Sequence, residues 1–305
     1  MRVVELSGGV GGAKLAEGLA AHLGADLTVV VNTGDDLELY GLAIWPDFDT
    51  VAYTLAGLDD EERGWGLRDE SWTVMERLAA LGEEPWFRLG DRDLATHLWR
   101  TEHLLRGGAR PTGVALELAA AMGIEPTILP MTDDGWLEFQ EYFVHRHQEP
   151  EVREVRFAGI DGAHATPEVL AALAAADVIV IAPSNPIVSI GPILALPGIV
   201  PALAGARDRG VSVIAVSGIV GGKALKGPAD RMLASLGHES SALGVARLYA
   251  GVVTTFVLDA IDADSASAVS ALGLRPVVAD TIMSDDAARA RVAAEVMRAA
   301  GATVA

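Results

Sequence analysis

The stretch Val3–Ala20, "VVELSGGVGGAKLAEGLA", decides the fold. A short apolar run ends in Gly8, Gly9, Gly11 and Gly12, and Lys14 then enters an amphipathic segment. Strand, glycine turn and helix in that order bring backbone N–H groups and the positive end of a helix dipole to one point, where an anion is favoured. Two familiar phosphate fingerprints are not met. A dinucleotide fingerprint needs glycine where Lys14 stands and an acid closing the second strand, which ends in Val31-Asn32. A P-loop needs Gly-Lys-Ser/Thr, and the order here is Gly12-Ala13-Lys14-Leu15. The physical reading survives both failures: glycines let N–H groups approach an anion, and Lys14 adds a cation.

Outward from this unit the pattern repeats. Val3–Leu6, Leu27–Val31, Val178–Ala182, Val211–Val216 and Val252–Leu258 are apolar runs rich in β-branched residues. Continuous apolar strands suit a parallel sheet covered on both faces. Gly12–Leu23, Pro167–Ala176, Pro197–Ala206 and Ala229–Leu236 read as helices between them, and the tail after Ser284 as a closing helix. The expectation is an α/β fold with a doubly wound, mostly parallel, Rossmann-like sheet. Residues 1–60 and 145–305 form its nucleotide-binding domain, and 61–144 a mainly helical insertion or cap. Trp136–Val144 alternates like an exposed strand, and His145 and His147 follow it as surface residues.

The 305 residues carry 42 acidic and 23 basic side chains, a formal charge of −19. Such a balance argues against a nucleic-acid backbone as partner, but not against a small phosphorylated ligand held by a local nest. The absence of cysteine excludes disulfides, zinc–thiolate sites and thiol nucleophiles. With no basic leader before an apolar segment and no run long enough to span a bilayer, the chain reads as soluble and cytoplasmic.

Ligands in doubly wound folds sit outside the carboxyl ends of the strands. That rule gathers Ser7–Lys14, Asn32–Asp49, Pro183–Pro192 and Ser217–Pro228 at one rim. Asp35, Asp36, Asp47 and Asp49 crowd the second of these, and clustered carboxylates without His or Cys suit a hard cation such as Mg²⁺. Asp47 and Asp49, two apart in an extended segment, would point the same way; alternatively Asp49 caps a helix beginning near Thr50. Ser184 and Asn185 offer uncharged groups for a base or sugar, or form a structural turn. Gly221, Gly222 and Lys223 make a second glycine–lysine segment, with Lys226 close by. Asp91 reads as a helix N-cap and Arg88 as a ligand contact.

The ordered segments "LSGGVGGAKLAEGL", "VNTGDDLELYGLAIWPDFDTV", "RLGDRDLATH", "PMTDD", "APSNPIVSIGPIL", "GGKALKGPADRM" and "ADTIM" resemble the 2-phospho-L-lactate transferase family, from Leu6 to about Met283. The resemblance implies an Mg²⁺-dependent transfer of a phosphoester unit from a guanosine diphospho donor to the ribityl hydroxyl of the deazaflavin Fo, releasing GMP, in the biosynthesis of coenzyme factor 420. "GGVGGAK" is similar to the actinobacterial form, which implies an enolpyruvyl rather than a lactyl donor. Family contacts to Fo fall on Asp49 and Arg88. The glycine turn, Ser184-Asn185 and Gly221–Lys223 would hold the guanosine diphosphate. Asp36, Asp47 and Asp49 would hold the metal, with Asp47 or Asp49 taking the hydroxyl proton. The resemblance also implies a homodimer. From the role given to Asp49, the expectation is that Asp49→Ala abolishes transfer without unfolding the chain. A related group of nucleotide-sugar-binding regulators, which shares the Gly-Gly-x-Gly start, supplies the alternative of binding without catalysis.

Overall fold

The computed structural model describes residues 1–106, 109–134, 154–157 and 159–302. Trp136–Val144, His145 and His147 lie outside them. Eleven strands are found among the described residues: β1 (Val3–Ser7), β2 (Leu27–Val31), β3 (Leu37–Leu39), β4 (Leu42–Ile44), β5 (Thr127–Pro130), β6 (Val178–Ile181), β7 (Ser212–Val216), β8 (Ile219–Val220), β9 (Lys223–Ala224), β10 (Thr255–Asp259) and β11 (Arg275–Ala279). The helices are α1 (Gly9–Leu23), α2 (Pro46–Leu55), α3 (Thr73–Ala80), α4 (Asp91–Leu105), α5 (Pro111–Ala121), α6 (Pro167–Ala175), α7 (Ile190–Ala195), α8 (Ile199–Asp208), α9 (Ala229–Ser235), α10 (Ala242–Tyr249), α11 (Ala266–Ala271) and α12 (Asp286–Ala299).

Seven strands form one parallel sheet in the order β11-β10-β7-β6-β1-β2-β5. Counting sheet strands along the chain, this is seventh, sixth, fifth, fourth, first, second, third. The order reverses between β1 and β6, the switch point at which a doubly wound sheet opens a crevice. The expected doubly wound fold is what the chain adopts.

Side-chain alternation along the strands divides the core. Val4 and Leu6 of β1 join Ile179, Ile181, Val213, Phe256 and the inner faces of α6, α8 and α10. Val3, Val29, Val31, Val180 and Val216 face the other way, onto α1, α2, α5 and α12. Both faces are apolar because helices cover both, which is why the strands read as unbroken hydrophobic runs.

The segment 61–144 divides. α3 and α4 pack with the β3–β4 hairpin around a small apolar cluster of Ile44, Met75, Leu89 and Leu94, apart from the main core. β5, by contrast, pairs in parallel with β2 from Thr127 to Pro130, and α5 packs beneath it. These two elements therefore belong to the sheet, and the helical cap closes before them. The almost wholly helical signal that precedes "TILP" hides a strand of four residues.

α1 starts at Gly9, three residues earlier than its apolar periodicity suggests. Gly8, Gly11 and Gly12 are required by close approach. A Cβ on Gly8 would lie 2.6 Å from both Asp47 and Ser189, one on Gly11 would collide with the Pro183 carbonyl, and one on Gly12 with the Ser7 hydroxyl. Gly18 does the same work for packing, since a Cβ there would strike the Arg289 backbone of α12.

Candidate functional site

The rim at the β1/β6 switch point brings the expected loops together, the fourth of them through Gly218, where an added Cβ would lie 3.2 Å from the Pro183 and Ser184 carbonyls. The Gly8 N–H donates to Ser184 Oγ at 3.1 Å, joining the glycine turn to the loop after β6. The Gly9 N–H donates to the Asp47 carboxylate. The helix end thus receives an anion, as its geometry predicts, but the anion is supplied by the chain's own α2. Asn32, at the end of β2, ties the group together. Its Nδ2 donates to Asp47 Oδ2 at 2.9 Å and to Asp35 Oδ1 at 3.2 Å, while its Oδ1 accepts from the Gly34 N–H at 2.8 Å. Sequence reasoning passed over Asn32 as a missing acid. The signal available was its position closing a buried strand just before four aspartates.

Asp35, Asp36, Asp47 and Asp49 are all buried. Burial pushes the Asp36 carboxyl well above its usual range, and the neighbouring charge of Asp35 adds to this. Burial pushes Asp47 up to about 6 against hydrogen bonds from Asn32 and Gly9. Asp36 Oδ1 is buried with no hydrogen-bond partner. A group of carboxylate oxygens held in low dielectric, one of them unpartnered, is short of positive charge, and oxygen donors alone suit a hard divalent cation.

Asp47 and Asp49 do not point the same way. Both sit in the first turn of α2, which Pro46 opens at the first helical position with Trp45 as N-cap, so the helix starts before Thr50 and Asp49 does not cap it. Residues two apart on a helix do not share a face. Asp47 turns to α1, and Asp49 turns to α4. There the Arg100 guanidinium grips Asp49 in a fork: one nitrogen donates to Oδ2 at 3.0 Å and the other to Oδ1. Burial raises the Asp49 carboxyl, and the charge of Arg100 opposes it.

Asp49, Asp93 and His97 are the one set of three among the described residues whose ligand atoms fall within 4.8 Å of one another. The guanidinium already bound to both Asp49 oxygens makes that set a poor cation site. The expected metal set of Asp36, Asp47 and Asp49 is not drawn into one such group, and Asp36 and Asp47 remain its better-placed members.

The other expected residues are scattered. Arg88 is exposed and lies 4.4 Å over the Trp72 ring. Lys14 points to the α12 side, donating to the Met283 carbonyl at 3.0 Å, and shares a pocket with Lys226, Arg289, Asp59, Glu61 and Trp65. Burial lowers the Lys14 amine, helped by Arg289 and Lys226. Gly221 and Gly222, at φ +58° and +80°, form the two-residue turn of the β8–β9 hairpin, the positive angles that such a turn demands. The Gly221 N–H is taken by Asp262. Lys223 is exposed, and Lys226, not Lys223, joins Lys14. Asn185 Oδ1 accepts from the N–H groups of Ile187 and Val188, shaping its own loop. Asp91 caps a helix other than its own: it accepts from Ser71 Oγ and from the N–H groups of Thr73 and Val74 at the start of α3, and these bonds lower its carboxyl to about 2.

Comparison with known proteins fits this architecture. A crystal structure of a UPF0052-family protein from Bacillus halodurans shares the fold, with TM-score 0.62 at 16% identity over 96% of this chain and 98% of that one. The phosphoenolpyruvate transferase of Streptomyces griseus is 43% identical over 317 residues, covering 98% of each chain. The 2-phospho-L-lactate transferase of Methanosarcina barkeri is 41% identical over 293 residues, covering 92% of this chain and 93% of its own. The family described as 2-phospho-L-lactate transferase CofD matches residues 3–298, and the chain belongs to it.

Proposed function

We propose that the protein is a transferase that moves a phosphoenolpyruvyl unit from a guanosine diphospho donor to the ribityl hydroxyl of the deazaflavin Fo, releasing GMP. Family membership supports the reaction class. The observation that carries the site is the buried carboxylate group at the N-terminus of α1, where Asp47 accepts from the Gly9 N–H and Asp36 Oδ1, in the same buried loop, is unpartnered. An oxygen-only donor set next to a helix end is the arrangement that a diphosphate and a divalent cation use together.

Asp36 and Asp47 are the residues that would hold Mg²⁺, and the ion would supply neutralisation of the diphosphate charge. Asp49 is reserved for the acceptor. A carboxylate has about four lone-pair sites, and the Arg100 fork uses one on each oxygen, leaving the others for a hydroxyl. The ribityl oxygen attacks the phosphorus that bears the enolpyruvyl group, and the P–O bond to the GMP phosphate breaks. The hydroxyl proton passes to Asp49, and GMP departs with the bonding pair. The α1 N-terminus would offer its N–H groups to the phosphate oxygens in place of the Asp47 carboxylate. Ser184 and Asn185 stand at the same rim for the nucleoside, and Arg88 with Trp72 presents a flat cationic surface for the deazaflavin ring.

What supports enolpyruvate over lactate is the segment Gly8–Lys14, similar to the actinobacterial form. The test is incubation of the protein with Fo, Mg²⁺ and each of the two donors, followed by product mass and GMP release. An unsaturated product formed faster than the saturated one supports the proposal. Preference for the lactyl donor reverses the donor assignment. Absence of both Fo binding and GMP release favours a nucleotide-binding protein without catalysis.

A further inference from the structure

Behind Asp49 lies a buried polar chain that the reaction as described does not use. Tyr53 OH on α2 donates to Asp93 Oδ1 on α4 at 2.5 Å. Asp93 Oδ1 lies 3.2 Å from His97 Nε2, one turn along α4, a charge–dipole contact that lacks the alignment of a full hydrogen bond. His97 Nδ1 lies 3.2 Å from an Arg100 NH group. Arg100 then forks onto Asp49 and gives a further bond to the Ala43 carbonyl at 3.2 Å. Its guanidinium sits 4.5 Å over the Trp45 ring. Exposure is 1% for Tyr53, 8% for Asp93, 1% for His97 and zero for Arg100.

The chemistry of the partners fixes the tautomer. A guanidinium has donors alone, so the His97 nitrogen facing it carries the lone pair, and the ring proton sits on Nε2 toward Asp93. His97 therefore accepts from Arg100 on one side and faces a carboxylate with its proton on the other. Turned over, the ring would set donor against donor and lone pair against carboxylate. Orientation passes from Tyr53 through Asp93 and the imidazole to the plane of the guanidinium, and from there to the plane of the Asp49 carboxylate.

We propose that His97 is a positioning residue for the transfer: through Arg100 it fixes the plane in which Asp49 meets the acceptor hydroxyl. This rests on the transfer reading above. A carboxylate held by one fork alone can tilt about that fork, and a displacement of about 1 Å at a reacting group is worth on the order of 100-fold in rate. His97→Gln keeps an acceptor for Arg100 and a donor for Asp93, whereas His97→Leu removes both.

The experiment measures kcat and KM for donor and for Fo, per mole of folded protein as judged by circular dichroism, in the wild type, His97→Leu, His97→Gln and Tyr53→Phe. The expected result is kcat lowered about 10- to 100-fold in His97→Leu, with donor KM unchanged and kcat largely restored in His97→Gln. Tyr53→Phe, which leaves the packing intact, should lower kcat by a smaller factor of about 3 to 10. Should His97→Leu fail to fold, the Tyr53→Phe and His97→Gln pair carries the test. Wild-type kcat per folded molecule in His97→Leu or in Tyr53→Phe overturns the positioning role, as does a His97→Gln enzyme no better than His97→Leu. A wild-type protein that transfers nothing overturns the transfer reading instead, and the role of His97 falls with it.

Discussion

Arg100 has no exposed surface, and its charge is answered by the Asp49 carboxylate and the Ala43 carbonyl. Removing one partner of such a buried pair leaves the other charge stranded, which costs about 3–5 kcal/mol. Asp49→Ala should therefore lower stability by that amount, measurable as a shift of the urea midpoint, and loss of activity in it would not by itself report catalysis. The resemblance pointed to Asp49 as a functional residue, the sequence expectation added an intact fold in its alanine variant, and Arg100 is why the fold would suffer. Asp49→Asn, which keeps one acceptor oxygen, is the milder variant for kinetics. At this scale residue types were legible and directions were not. The aspartates of "DDLELYGLAIWPDFD" stood out by composition, but whether Asp47 and Asp49 share a face depends on whether Pro46 opens a helix or sits in an extended run. Arg100 and His97 were hidden because "LATHLWR" shows three-to-four-residue spacing, the same mark that packing leaves.

Between α1 and its neighbours the glycines set the distances. Gly18 faces the Arg289 backbone of α12, and a methyl there must push the two helices apart. Alanine gains roughly 1 kcal/mol in helix propensity, while overpacking costs about 1–3 kcal/mol. Gly18→Ala should thus be destabilised by up to about 2 kcal/mol, seen as a lower melting temperature with specific activity retained. Gly11 faces the Pro183 carbonyl at the rim instead. Gly11→Ala should lose transfer activity, because the displaced backbone carries the helix end and the Ser184 loop. Comparable activity loss in both variants would argue against the rim as the reacting centre. The elements legible in sequence were the central ones. β1, β2, β6 and β7 are continuous apolar runs because helices cover both their faces. β10 begins at Thr255, not Val252, because Val252 and Val253 close a turn onto the Tyr249 carbonyl. The edge strands were silent: β5 has four residues ending in proline, and β11 is half exposed with Pro276 within it, tolerated because an edge needs fewer ladder bonds.

For the molecule as a whole, the buried acids decide how stability follows pH. Glu5, Asp36 and Asp47 all have carboxyls raised in the folded state, with burial the main cause. Unfolded, such groups ionise near pH 4. Between there and their folded values the native chain binds more protons than the unfolded chain, so stability falls as pH rises. For Asp47 the window runs from 3.8 to about 6, and at 1.36 kcal/mol per unit the loss is roughly 3 kcal/mol. Asp93 works the other way. Burial pushes it up, but hydrogen bonding from His97 and the His97, Tyr53 and Arg100 contacts outweigh that and hold it low, so its contribution is lost only below the ordinary carboxylate range. In a chelator, the melting temperature should therefore decline from pH 5 to pH 7.5, by several degrees for a chain of this size. The charge of −19 drives a decline in the same direction through self-repulsion, but that part is screened by salt, whereas buried carboxylates are screened much less. Asp47→Asn, which keeps an acceptor for the Gly9 N–H, separates the two. It should flatten the decline in high salt if the rim carboxylates cause it, and leave the decline unchanged if they do not. Added Mg²⁺ should raise the melting temperature of the wild type at pH 7.5 and have less effect at pH 5, where Asp47, raised to about 6, holds a proton in place of the ion. An equal rise at both values would mean that the cation binds outside the carboxylate group at the start of α1.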